Sequence, residues 1–374
     1  MSQRTLAVLT SVHGAREGDR IILDDKAFQG IELYNRFWSG DVIWLLSMRD
    51  APPTYSTLYR DTDLPVRVVA VNEDRSDLLS KLPSNALVLA SADNPSDLAL
   101  SDQLPGQVAY IIENTLQGRI DMVDAADAAW WRKLRRRIWE KSTEVKRVSA
   151  IKKAAGLQCN GLASFNKYSA LSAAPMYYFD TRLSADAHIS EELLAEKCMR
   201  ALKGEPLRLA FSGRLTRIKG AQYLVPIAQQ LRSAGINFTF EIFGEGEIAL
   251  DNQFHLHGPL AFPDKWVPAM QNIDLFICPH PQGDPSCTYL EVMGCGVGTV
   301  GFANEALRSM VAADGNGLTV PIGDIGALVR TVLALDRDRE QLVALMKGAA
   351  AFAAKQSMED AFRKRVDHLR SIGG

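Results

Sequence analysis

Arg214, Arg217 and Lys219 follow a strand-like run, Leu207–Phe211, across the turn Ser212-Gly213 in "FSGRLTRIKGAQYL". No acidic residue lies beside them in sequence. A guanidinium fork combined with a compact ammonium suits a diphosphate, since the fork pairs with two oxygens and the lysine adds a movable point charge. Glycine at 213 lets a backbone approach closely, and Gly220 allows a tight start to the following helix. A solvated basic loop is the plain alternative. Two more strand ends favour the anion. "FTFEIFGEGE" puts Gly244 and Gly246 after a strand. "DLFICPHPQGDPSCTYLEVMGCGVGTVGF" runs from a strand at 275–278 through Pro279-His280-Pro281 into a short helix. Ser286 is its N-cap candidate, leaving the amides of Cys287 and Thr288 to receive an anion. Glu291 lies about a turn further in. Its carboxylate suits two hydrogen bonds from a ribose diol, or it is a surface helix glutamate.

Such residues need strands that deliver them to one edge. Strand candidates in the first half are 5–10, 41–46, 66–71, 86–90 and 107–112, with helical stretches such as 24–38 between them. A polar, strand-poor stretch (179–206) follows, and the alternation then restarts at 207–211, 238–243, 254–257, 275–278, 297–301 and 318–320. Alternation of this kind predicts parallel sheets covered by helices on both faces. The expected architecture is α/β, two doubly wound Rossmann-like domains facing across a cleft. The expected divisions are 1–185, 186–356 and a last helix, 357–374, crossing back to the first domain. With 374 residues, two domains fit a prior of about 150 residues each. A net charge of -2 excludes a chain that coats nucleic acid. The five cysteines include no Cys-x-x-Cys pair, which favours a reducing compartment. No run approaches the ~18 apolar residues of a membrane span. The expected location is cytoplasmic.

In order and spacing, "FSGRLTRIKG", "FEIFGEG", "HLHGPL", the segment 274–306 and "NGLTVPIGD" resemble the donor-binding domain of retaining GT-B glycosyltransferases, glycosyltransferase family 4. The resemblance covers roughly residues 207–335. It implies transfer of a sugar from a nucleotide diphosphate with retention, without metal or other cofactor. It implies that Arg214 and Lys219 hold the diphosphate, that Glu291 holds the ribose, and that backbone from Gly258 to Leu260 meets the base. Gly213, Gly244, Ser286, Cys287 and Thr288 fall among the donor-binding positions. The family commonly carries a second glutamate eight positions before the first, and position 283 here is glycine. Asp284, one residue late, or Gln282, without charge, are the substitutes at hand for seating the donor sugar.

The first half resembles the family mostly in architecture. Its first strand ends in "TSVHGAREGD", where a glycine-bearing loop would face the donor phosphates; Gly14 fits, with His13 beside it as a catalytic or structural histidine. Glu113 ends the fifth strand in "YIIENTLQGR". It either orients the acceptor hydroxyl and accepts its proton, or binds a helix N-terminus. In "AAWWRKLRRRIWEK" (128–141) a helix would gather Trp130, Trp131, Leu134 and Ile138 on one side and Arg132, Lys133, Arg136 and Arg137 on the other. That pattern suits an anionic membrane surface, hence peripheral contact with the inner membrane face and a glycan or lipid-linked acceptor; a core-packing helix is the alternative. His255 and His257 share a strand face, with nucleotide-edge or core roles favoured over zinc. Asp61-Thr62-Asp63 is not expected to end a strand, which sets aside a metal-binding Asp-x-Asp. The rival functions are a nucleotide-sugar epimerase of the same plan, though "SVHGARE" lacks its Gly-Thr-Arg-Pro-type turn, and a non-catalytic nucleotide-sugar binder. A nicotinamide dehydrogenase lacks its Gly-x-Gly-x-x-Gly.

Overall fold

The computed structural model describes residues 4–54, 56–311 and 315–373. Its first sheet holds β1 (Leu6–Glu17), β2 (Arg20–Asp24), β3 (Val42–Met48), β4 (Ser56–Arg60), β5 (Arg67–Ala70), β6 (Leu87–Ser91), β7 (Val108–Ile112), β8 (Gly156–Asn160) and β9 (Pro175–Tyr178). Seven of these run parallel in the order β5-β3-β1-β6-β7-β8-β9. The central runs Leu6–Leu9 and Leu87–Ala90 are buried throughout, as strands covered on both faces must be.

β1 departs from expectation. It breaks register between Leu9 and His13 and then continues to Glu17, because Ala15–Glu17 pairs antiparallel with Arg20–Ile22. β4 extends this hairpin. Asp61–Asp63 forms a single turn directly after β4, so the Asp-x-Asp does end a strand, contrary to its sequence reading; Asp61 is spent on Arg16 at 2.9 Å.

The second sheet holds β10 (Leu207–Ser212), β11 (Phe238–Phe243), β12 (His255–Leu256), β13 (Leu275–Cys278), β14 (Gly298–Phe302) and β15 (Gly317–Val320). All neighbours are parallel, in the order β12-β11-β10-β13-β14-β15. In each sheet the winding reverses beside its first strand, between β1 and β6 and between β10 and β13. Open parallel sheets hold ligands at such reversals, outside the carboxyl ends.

The last helix, Met358–Gly373, packs on the helix Asp25–Phe37 of the first half. Phe362 sets its ring edge-on to Tyr34 at 5.0 Å. Gly30 makes room for it, since a Cβ there would lie 2.9 Å from the Phe362 ring. Gln158 of β8 and Arg365 lock the helix with two hydrogen bonds of 2.9 and 3.1 Å. The end of the chain therefore completes the core under β1 and β6. Phe362→Ala should cost about 3–5 kcal/mol in urea unfolding, the usual loss for a deleted core aromatic; a loss below about 1 kcal/mol would show that the helix is peripheral to that core.

Candidate functional site

Gly220 fixes the basic turn. Its backbone is left-handed (φ 75°), and a Cβ would stand 1.9 Å from the Pro279 carbonyl oxygen, so only glycine lets this turn press against the end of β13. Lys219 then reaches across the reversal, with Nζ 3.1 Å from Asp284 Oδ2. The acid absent from the neighbouring sequence arrives 65 residues later. Arg214 and Arg217 are exposed, and among the described residues the Arg214 guanidinium has no ion pair. Gly213 and Gly244 meet each other: a Cβ on Gly244 would lie 2.1 Å from the Gly213 oxygen. They join the loops after β10 and β11, which Leu215 secures through its N–H to the Glu245 carbonyl at 2.9 Å.

Ser286 stands at the N-cap of the helix Cys287–Gly294, and its side chain makes no capping bond to the amides. Burial, with Glu291 nearby, pushes the Cys287 thiol up to about 12, so it stays protonated at neutral pH. Gln282 is wholly buried; its oxygen accepts from the Asp284 N–H at 2.5 Å while its Nε2 has no hydrogen-bond partner among the described residues. Gly258 and Leu260 lie in the half-buried loop after β12. His255 and His257 do share a face, where both bond Glu241 at 2.9 and 2.7 Å, whereas His280 is buried separately against Tyr289.

Three expectations are corrected. Glu291 is fully buried, neither a surface helix residue nor open to a diol. Arg182 holds it with Nε–Oε1 at 2.8 Å and Nη2–Oε2 at 3.0 Å, and the same guanidinium covers the Phe262 ring at 4.0 Å. A ribose reaching Glu291 must displace Arg182. Gly14 is not in a loop facing phosphates. It is buried within β1 opposite Met48, because the hairpin extends that strand. Third, the helix Trp130–Lys153 does not bury its apolar stripe in a core: Trp130, Leu134 and Ile138 are 76%, 49% and 61% exposed.

Glycine at 283 has a steric cause. A Cβ there would lie 3.3 Å from the Glu305 Cβ and 3.7 Å from Gly118 Cα. Gly118 belongs to the helix Leu116–Ala125 of the first half, whose N-cap Thr115 also donates to Glu305 Oε2. The tight neighbour is Glu305, whereas Gly118 lies at ordinary van der Waals distance. Glu305 brings a carboxylate beside the position.

Glu113 faces this contact. Its N–H donates to Asp93 Oδ2 at 2.6 Å, and Asn160 donates to its Oε1 at 3.3 Å. Although open along the cleft, the carboxyl is walled by both domains. That desolvation, followed by the charges of Asp93, Asp180 and Asp284, pushes its pKa up to about 7, with Lys26 opposing. Lys26 pairs with Asp180 at 2.5 Å. Burial disfavours the ammonium, but Asp180, supported by Glu291, outweighs it and holds the pKa above the usual lysine range. The crevice between Glu113, Asn160 and Asp180 on one side and Gly283 and Ser286 on the other encloses about 10 Å3, room for one water at most. His13 lies beyond it, bonded to the Ala51 carbonyl at 3.1 Å, in a polar basin of 580 Å3 at the β1/β6 reversal.

Sequence reasoning missed Lys26, Asp93, Asp180, Arg182 and Glu305. Their partners are distant in the chain, and Arg182 and Asp180 sit in the polar stretch read only as a join.

Residues 206–338 match the family described as "Glycosyl transferases group 1". "Putative colanic acid biosynthesis glycosyltransferase WcaL" of Escherichia coli (strain K12) is 26% identical over 178 residues, 43% of this chain and 43% of that protein. The protein of the same name from Salmonella typhimurium is 25% identical over 183 residues, 44% and 45% of the two chains. These alignments span less than half the length of the relatives. Among solved structures, sucrose-phosphate synthase from Thermosynechococcus elongatus superposes with a TM-score of 0.71 at 11% identity, covering 99% of this chain and 98% of that one. Anabaena HepE in complex with UDP-glucose gives 0.66 at 13%, covering 98% and 99%. At such identities the likeness establishes the fold, which is GT-B. No helix among the described residues is long and apolar enough to cross a membrane.

Glu113→Gln tests the electrostatics directly. A carboxyl whose folded pKa is raised contributes stability fully below its unfolded pKa, and loses it as pH rises toward about 7. The glutamine variant should therefore melt higher than the parent at pH 8 and level with it near pH 4; equal melting at both pH values would remove the raised pKa.

Proposed function

We propose, on the premise that residues 206–338 form a glycosyl transferases group 1 domain in a GT-B chain, that this protein transfers a sugar from a nucleotide diphosphate to an acceptor held by the first domain. Polysaccharide or glycoconjugate biosynthesis is the setting that the WcaL relatives support. The observation that carries the reading is the reversal between β10 and β13, where Arg214, Lys219 and the N-terminus of the helix Cys287–Gly294 gather at carboxyl strand ends. As the bond to phosphate breaks, negative charge grows on the departing oxygen. Fixed cations and helix amides stabilise that charge without reorganising.

Glu113 is the group we assign to the acceptor hydroxyl. Its pKa near 7 suits a residue that accepts a proton at neutral pH. The closed crevice requires the domains to part for substrate and close again for transfer. Retention of configuration and independence from metal follow from the family resemblance and belong to the same proposal; proton NMR of the new linkage and assays with EDTA would check them. Accumulation of free epimerised sugar without acceptor would identify the rival epimerase, and nucleotide binding without transfer to any acceptor a non-catalytic binder.

The exposed Trp130, Trp131, Leu134 and Ile138 stripe, with Arg132 stacked on Trp131 at 5.0 Å, supports peripheral membrane contact on the cytoplasmic side. Flotation should succeed with liposomes containing anionic lipid and fail with neutral ones; equal recovery with both would remove the electrostatic part.

The donor base should declare itself as the largest rise in melting temperature among UDP, GDP, ADP and their sugar conjugates. Arg214→Ala and Lys219→Ala should each lower kcat by about 10²–10³, the cost of one lost charge-stabilising donor. Parental turnover in both variants would end the diphosphate assignment.

A further inference from the structure

Two cavities adjoin at the carboxyl ends of the first sheet and share Asp93 and Pro95 in their walls. The basin at the β1/β6 reversal, 580 Å3, is lined by Ser11, Ser47, Glu73 and Asn94 among others, the mixture of hydroxyl, carboxylate and amide that a polyol's hydroxyl groups require. The second cavity, 480 Å3, opens between the helices Leu116–Ala125 and Trp130–Lys153 and differs in chemistry. Met122, Val123, Ala126 and Trp139 give it an apolar wall. Both volumes lie within the range of about 300–1,000 Å3 usual for small-molecule sites.

The charges of the second cavity do not balance internally. Its two carboxylates are already engaged: Asp93 receives Arg119 at 2.8 Å, and Glu140 receives Arg136 at 3.0 Å and faces Arg119 at 3.5 Å. Arg147 behind them is held by Glu144 at 2.7 Å. Two cations remain. Arg132 stacks on Trp131, and Lys133 is bonded to the Asp124 carbonyl at 2.8 Å; among the described residues neither has a carboxylate partner. An apolar wall with surplus positive charge at its rim fits a hydrocarbon chain bearing an anion.

We infer that the acceptor is bipartite: its saccharide lies in the polar basin, and its aglycone, a phosphate or diphosphate ester of a long-chain alcohol, lies in the cavity between the two helices. Asp93 stands at the junction and accepts the backbone N–H of Glu113 at 2.6 Å, while the Glu113 side chain lines the neighbouring crevice with Asn160 and Asp180. This rests on the glycosyl-transfer reading for the identity of the acceptor, while the cavity's ligand chemistry stands on its own walls.

The experiment titrates the full chain with decyl phosphate below its micelle concentration, with decyl maltoside and with inorganic phosphate, following Trp139 fluorescence and titration heat. Decyl phosphate should bind saturably and at least tenfold more tightly than either control. Val123→Asp and Lys133→Glu should each weaken it at least tenfold while keeping the nucleotide-induced rise in melting temperature, which shows that the variants fold. Equal binding of decyl phosphate and decyl maltoside overturns the anion's part, and equal binding of inorganic phosphate overturns the chain's part. Undiminished binding in both variants overturns the location. Nucleotide binding without decyl phosphate binding overturns this inference alone. Decyl phosphate binding without any nucleotide binding supports the cavity's ligand and sinks the glycosyl-transfer reading.

Discussion

The close approach of Gly118 and Gly283 brings the helix Leu116–Ala125 of the first half against the loop after β13. A Cβ at 283 would be 3.7 Å from Gly118 Cα, and one at 118 would be 3.8 Å from the Gly283 oxygen. Both are ordinary van der Waals distances, and the tight neighbour of position 283 is the Glu305 Cβ at 3.3 Å. With both positions bare, the N-cap Thr115 reaches Glu305 across the interface, and Glu113 is brought close enough to Asp284 to feel its charge. The walls of both domains desolvate the Glu113 carboxyl and raise its pKa, although the residue stays open along the cleft. The Glu305 Cβ leaves little room for a side chain at 283, and Glu305, the first residue of the helix Glu305–Val311, brings a carboxylate beside that position.

A second regularity follows from that closeness. Most cations turned toward the crevice already hold a carboxylate: Lys219 holds Asp284, Arg182 holds Glu291, and Lys26 holds Asp180. Buried charges are tolerated when paired and costly when single. Arg214 and Arg217 are exposed, and neither has an ion pair among the described residues.

The parts legible in the sequence were those with local causes. β11 and β13 fall where the apolar runs put them, and the basic turn sits at the strand end expected of it. The resemblance carried the second domain's organisation, and the matched segment 206–338 lies there. The elements missed had non-local causes. β8 reads "GLQCN" and β9 "PMYY", weak strand sequences that are made strands by the neighbours β7 and β9 or β8. β1 lengthens because the hairpin partner β2 pairs with its second half, which removed Gly14 from any loop. The Arg182–Glu291 pair spans 109 positions, and nothing in either local pattern announces it.

The first domain's rim shows the same dependence on distant partners at higher density. Arg119 gathers Asp93 from the end of β6 and Glu144 from the long helix, and donates to the Asn114 carbonyl at the end of β7. Arg147 ties that network to the Ala92 carbonyl at 2.7 Å, and Tyr168 closes it by donating to Glu144 at 2.7 Å. Burial raises the Asp93 pKa and Arg119 opposes it; removing Arg119 leaves the Asp93 carboxylate without an ion pair among the described residues, whereas Arg119 without Asp93 still holds Glu144. The network therefore fixes the backbone of Glu113 and Asn114 from behind while leaving their side chains facing the cleft. It also braces the shared wall of the two first-domain cavities, since Asp93 lines both and Arg119 and Arg147 line one of them. The first half of the helix Trp130–Lys153 lies outside this brace. Its exposure has no structural benefit to the domain, and a partner that covers apolar surface and carries negative charge is what would make it favourable.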